Sequence, residues 1–124
     1  MRIVFDTGAF IALERRQRTA REVLRIAAED GDELVAPAAA VAEWWRAGKR
    51  EKERSRILRA FKFEGSDLRT AQLAGVAMGL TGAGLGDALV MACASMHGDV
   101  VYTTDLEDFL RLNTVFPAVV VQRI

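Results

Sequence analysis

With 124 residues, 51% of them hydrophobic and 27% charged, the chain has the composition of one globular domain with its own core, and disorder is excluded. Lys and Arg balance Asp and Glu at 17 each, and the one cysteine, Cys93, excludes an internal disulfide or a cysteine zinc cluster. The longest apolar run, Ala88 to Ala94, falls far short of a membrane span, and the few apolar residues between Arg2 and Asp6 make no secretory leader, so a cytoplasmic protein is expected.

The stretch Ile3-Val4-Phe5 reads as a buried strand closed by Asp6-Thr7-Gly8. A short helix follows from Gly8 to Arg16, and a second begins at a Thr19 cap and stops at Asp30-Gly31. Leu34-Val35-Ala36 is a second strand. Pro37 then opens a helix through Ala39, Val41, Glu43 and Trp45 that breaks near Gly48.

The segment from Lys49 to Phe61 predicts an exposed helix, and Phe63-Glu64 a brief edge strand. From Arg46 to Lys62 the net charge is +6 in 17 residues, so the rest of the chain carries the opposite excess. A basic patch beside an acidic remainder suits an anionic partner; ion pairs along a solvated helix are the plainer account.

Asp67 or Ser66 caps a helix bearing Leu73, Val76, Ala77 and Leu80, which dissolves in Gly79, Gly82, Gly84 and Gly86. The spacing G-x-G-x-G after a helix does not fit a dinucleotide loop and predicts a flexible approach to Asp87. Asp87 to Met96 is apolar nearly all round, hence a central helix holding Cys93 in the core and ending at a surface His97. Val100 to Thr103 is a strand, Leu106 to Leu112 a helix, and Ala118 to Val121 a last strand. Apolar strands alternating with helices imply a three-layer α/β/α sandwich with a central parallel sheet, one domain over 1–124.

Four acids stand where hydration is the wrong expectation: Asp6 after strand one, Glu43 in an Ala/Val/Trp helix, Asp87 opening the central helix, and Asp105 just past strand Val100–Thr103. In an open parallel sheet the ligand crevice lies off the carboxyl ends of the strands, so these acids can converge there. Asp6 also reads as a helix N-cap. Two carboxylates ~5 Å apart repel by roughly 1 kcal/mol in water and about 3 at an effective dielectric near 20. Only Arg46 lies near any of them in sequence, so a divalent cation is the simplest remedy. Oxygen ligands point to Mg²⁺ or Mn²⁺.

The pattern Val4-Phe5-Asp6-Thr7, Glu43, Asp87-Ala88-Leu89, then Val101-Tyr102-Thr103-Thr104-Asp105 with Asp108-Phe109, resembles a PIN domain, most of all the VapC-type ribonuclease toxins. The resemblance covers essentially the whole chain. It implies that Asp6, Glu43, Asp87 and Asp105 bind Mg²⁺ or Mn²⁺ and cleave RNA, with the hydroxyl of Thr103 in support. It also implies a homodimer and a cognate antitoxin that silences the site. Asp108 rivals Asp105 for the fourth acid. Gly8 stands where such sequences often carry serine, which removes a hydroxyl.

Thr7 is taken as further support for the site, and Arg46, Lys49 and Arg50, with Arg15, Arg16 and Arg18, as contacts to the RNA backbone. Of Trp44 and Trp45, one belongs to the core and the other to an interface. A catalytically silent PIN-like module that docks RNA or protein is the alternative reading. A phosphorelay receiver fits less well, since Thr7 stands where receivers pair a second acid.

Overall fold

The five short strands pair into one all-parallel sheet in the order β3-β2-β1-β4-β5: β1 (Arg2–Phe5), β2 (Glu33–Pro37), β3 (Lys62–Glu64), β4 (Val100–Thr103) and β5 (Val120–Arg123). The computed structural model describes residues 1–46 and 50–124. Among these, the sheet is joined by α1 (Thr7–Glu14), α2 (Arg18–Asp30), α3 (Ala38–Trp44), α4 (Glu51–Leu58), α5 (Leu68–Thr81), α6 (Leu85–Ser95) and α7 (Leu106–Asn113). The expected sandwich is the one observed.

Its centre is set by register. Val4 of β1 lies level with Val35 of β2 and Val101 of β4, and all three are fully buried. The chain leaves β1 toward β2 and β3, then returns past β1 to β4 and β5. Right-handed crossovers therefore carry the connections to β2 and β3 over one face and those to β4 and β5 over the other, with α3 packing on both α1 and α6. The direction of winding reverses between β1 and β4, so the crevice opens at their carboxyl ends. At the opposite edge Arg2 reaches Asp99 at 3.0 Å and Glu33 at 3.2 Å, and also pairs with Glu64.

Several boundaries differ from the sequence reading. Arg16 turns the chain with a φ of 58°, so α2 is capped by Gln17 and Thr19 lies inside it. α5 runs through Gly75 and Gly79 until Gly82, at φ 72°, ends it. α6 starts at Leu85 behind Gly84, so Asp87 is its third residue. β5 begins two residues later than expected, after Val119 N–H bonds the Phe116 carbonyl in a turn.

The basic helix α4 is less free than its charge suggests. Arg54 Nε bonds Glu14 Oε1 at 2.6 Å, both side chains nearly buried at 13% and 8% exposure. Its guanidinium lies 5.9 Å from the Trp44 ring, which stacks on Phe10. Arg56 pairs with Glu53, and Lys62 with Glu33. Arg54→Ala would strand the Glu14 carboxylate, so we expect a loss of about 3–5 kcal/mol in urea unfolding at pH 7. Arg59→Ala, at the exposed residue that ends the same helix, should cost nothing measurable.

Candidate functional site

The rim above β1 and β4 gathers five carboxylates. Asp6 follows β1 and caps α1, its Oδ1 accepting the Ala9 N–H at 2.7 Å. Its Oδ2 accepts the Thr103 hydroxyl at 2.5 Å, and Thr103 Oγ1 accepts the Asp105 N–H at 2.8 Å. One fully buried threonine thus ties the acid after β1 to the acid after β4. The cap and site readings of Asp6 describe one geometry.

Asp87, Asp105 and Asp108 each bring a carboxylate oxygen to within 4.8 Å of the others. Asp87 comes from the first turn of α6, Asp105 from the N-cap of α7 and Asp108 from its first turn. Glu43, on α3, packs its Oε1 against Gly86, immediately before Asp87. Thr7 spans the gap to α3 by a long 3.5 Å hydrogen bond to the Ala40 carbonyl.

All four acids named from the sequence therefore stand on one rim, and Asp108 joins them instead of replacing Asp105. Only Asp6 is buried; Asp87 is half-buried, while Glu43 and Asp105 are exposed, because the rim opens to solvent.

The crowding appears in the ionisation of the acids. Burial pushes Asp6 up to about 6, against the Thr103 and Ala9 hydrogen bonds, with Asp87 and Asp105 adding repulsion. Burial also raises Asp87 to about 6, followed by repulsion from Asp105, Glu43 and Asp108. Asp105 is pushed up chiefly by its hydrogen bond with Asp108, which in turn is held down by that bond and by Arg111. A site this rich in carboxylates, all of them hard oxygen donors, fits a divalent cation such as Mg²⁺ or Mn²⁺.

Arg111 is the residue the sequence reading missed. It pairs with Asp108 one helical turn earlier and reaches the Thr81 carbonyl at 3.4 Å, placing a cation at the outer side of the acids. The i, i+3 spacing was the available signal. Of the basic residues expected at RNA, Arg46 and Arg50 are exposed, and no carboxylate pairs with either among the described residues; Arg15, Arg16 and Arg18 are exposed between the end of α1 and the start of α2, and Lys49 lies outside the described residues. Trp44 is the core tryptophan, and half-buried Trp45 meets it edge-on.

The hydroxyl missing at Gly8 has a counterpart. A Cβ on Gly8 would lie 2.0 Å from Thr104 Oγ1 and 3.2 Å from Thr104 Cβ. In place of the gain an alanine normally brings to a helix, Gly8→Ala should cost about 1–3 kcal/mol in thermal unfolding. Gly8→Ala combined with Thr104→Ala should recover most of that loss.

Residues 3–114 match the PIN domain family. No curated protein matches the chain. Its fold is similar to that of a chain in VapBC2 from Rickettsia felis bound to a DNA fragment from their promoter, at a TM-score of 0.79 and 14% identity over 100% of this chain and 99% of that one. It is similar also to a chain of a toxin-antitoxin complex from Klebsiella pneumoniae (TM-score 0.75, 21% identity, 95% of each chain). DNA-bound VapBC from Salmonella typhimurium gives a TM-score of 0.74 at 15% identity, over 99% and 98% of the two chains. A family match that takes in the acids after β1 and β4 and that on α6, on a fold shared with these structures, shows that the chain belongs to the PIN domain family.

Proposed function

We propose that this protein is a metal-dependent endoribonuclease of the cytoplasm, the toxin of a type II toxin–antitoxin pair. The observation that carries the reading is the meeting of Asp87, Asp105 and Asp108 within 4.8 Å, beside Asp6 and Glu43, at the carboxyl edge of a PIN fold. PIN domains are generally nucleases, which supports hydrolysis of a phosphodiester.

Asp6, Glu43, Asp87 and Asp105 would hold Mg²⁺ or Mn²⁺, with Asp108 adjoining. The bound cation supplies an acidified water and offsets charge developing on the phosphate. The chain's own part is to fix the acids. Thr103 orients Asp6 and the backbone of Asp105 together, and Thr7 steadies the helix that carries Glu43. Arg46 and Arg50, following Glu43 in the chain, would hold the RNA backbone without reading its sequence.

A cognate antitoxin is the proposed regulator, supported by the toxin–antitoxin complexes among the similar structures. A groove of about 520 Å³ between α1, α2 and α4 suits it, lined by Leu13, Leu24 and Ile57 and by Arg16, Arg21 and Arg56, the last of which already pairs with Glu53. Those features fit a segment with apolar anchors flanked by carboxylates. Self-association is proposed as well, with two copies forming the toxin unit.

The test is to incubate purified protein with structured RNAs in Mg²⁺ and in EDTA. Cleavage in Mg²⁺ that stops in EDTA and in Asp87→Asn supports the proposal. RNA binding without cleavage would make the protein a silent docking module.

A further inference from the structure

Gly86 is the second residue of α6, and the space its side chain would fill holds the Glu43 carboxylate. A Cβ there would lie 1.5 Å from Glu43 Oε1 and 2.7 Å from Glu43 Cδ, closer than non-bonded atoms approach. Neighbouring glycines have other reasons to be glycine: Gly82 adopts φ 72° to close α5, and Gly84 is the N-cap of α6. Gly86 has an ordinary helical backbone, where alanine is the better helix former. Only the contact with Glu43 calls for glycine.

Two further observations give the contact a purpose. α3 packs against α6, which brings the Glu43 helix to this end of the central helix. The first turn of α6 has no side-chain cap, so the positive end of the helix stands free at Gly86, the residue against which the Glu43 carboxylate packs.

We infer that Gly86 is a positioning residue: by lacking a side chain it lets Glu43 stand over the first turn of α6, beside Asp87, as part of the cation site. The inference rests on the metal-nuclease reading above. A methyl group at position 86 would push away the end of a flexible side chain. That costs the fold little and costs the site the Glu43 carboxylate.

The experiment compares wild type, Gly86→Ala, Glu43→Ala and the double variant, titrating each with Mn²⁺ by calorimetry without RNA and melting each in EDTA. Gly86→Ala should melt at or above the wild-type temperature yet bind Mn²⁺ about tenfold more weakly, as Glu43→Ala does. In the Glu43→Ala background the glycine change should cost nothing more. Equal losses in both backgrounds, or wild-type affinity in Gly86→Ala, overturn the inference while the nuclease reading stands. A wild-type protein that takes up no Mn²⁺ overturns both. Should Gly86→Ala fail to fold, recovery of the fold in the double variant supports the contact, and failure in both overturns it.

Discussion

Asp6→Asn should make the metal-free protein more stable at pH 8 while removing RNA cleavage by orders of magnitude. The Asp6 carboxyl is raised from 3.8 to about 6, so the folded state holds its proton more tightly than the unfolded chain does. Well below 3.8 both states are protonated and the group carries no penalty. As pH rises through 6 the buried carboxylate must ionise, and the stability present in acid is lost. Two pKa units correspond to about 3 kcal/mol, part of which the neutral amide forfeits through poorer bonding to Thr103, leaving an expected gain of about 1–2 kcal/mol. Urea unfolding of both proteins at pH 4 and pH 8 checks this: the gain should be present at pH 8 and absent at pH 4. An Asp6→Asn variant that cleaves RNA like wild type contradicts the site assignment.

The second large effect is the response to cation. Asp6 and Asp87 both ionise near 6, so protons compete with the metal below that pH and are displaced by it above. Millimolar Mn²⁺ should therefore raise the melting temperature clearly at pH 8, little at pH 5, and not at all once EDTA is added. Melting curves read by near-ultraviolet circular dichroism, across pH 5 to 8, provide the measurement. Stabilisation that is equal at both ends of the range would place the cation away from these two acids.

Asp6 and Asp105 were legible from the sequence because each follows an apolar strand, where a parallel sheet exposes its crevice, and Asp87 and Glu43 because each stands in an otherwise apolar helix. Asp6 after Ile3-Val4-Phe5 and Asp105 after Val100–Thr103 mark the carboxyl ends of the two adjacent central strands. The fold class followed from the same alternation of strands and helices. What the sequence hid were relations across the chain. Nothing local says that Arg54 would leave the basic surface to neutralise Glu14 forty residues away, or that Thr104 would fill the space above Gly8. Gly86 looked like one more flexible glycine until Glu43 was seen against it. Asp108 and Asp105 competed on paper because proximity to the strand end was the only criterion. In space one helical turn brings both to Asp87.

Hydration was also misjudged at the rim. Glu43 is solvent-exposed although its neighbours in sequence are apolar, and Asp105 although it closely follows a central strand, because the crevice lies outside the packed layers. Exposure does not remove the crowding, and it leaves these two carboxylates open to solvent.

The most direct measurement of the central claim is anomalous diffraction from crystals grown with Mn²⁺. Density for the ion among the carboxylates of Asp6, Asp87 and Asp105 is the predicted result. Crystals saturated with Mn²⁺ that show no peak on this rim, or a peak only elsewhere, would contradict it.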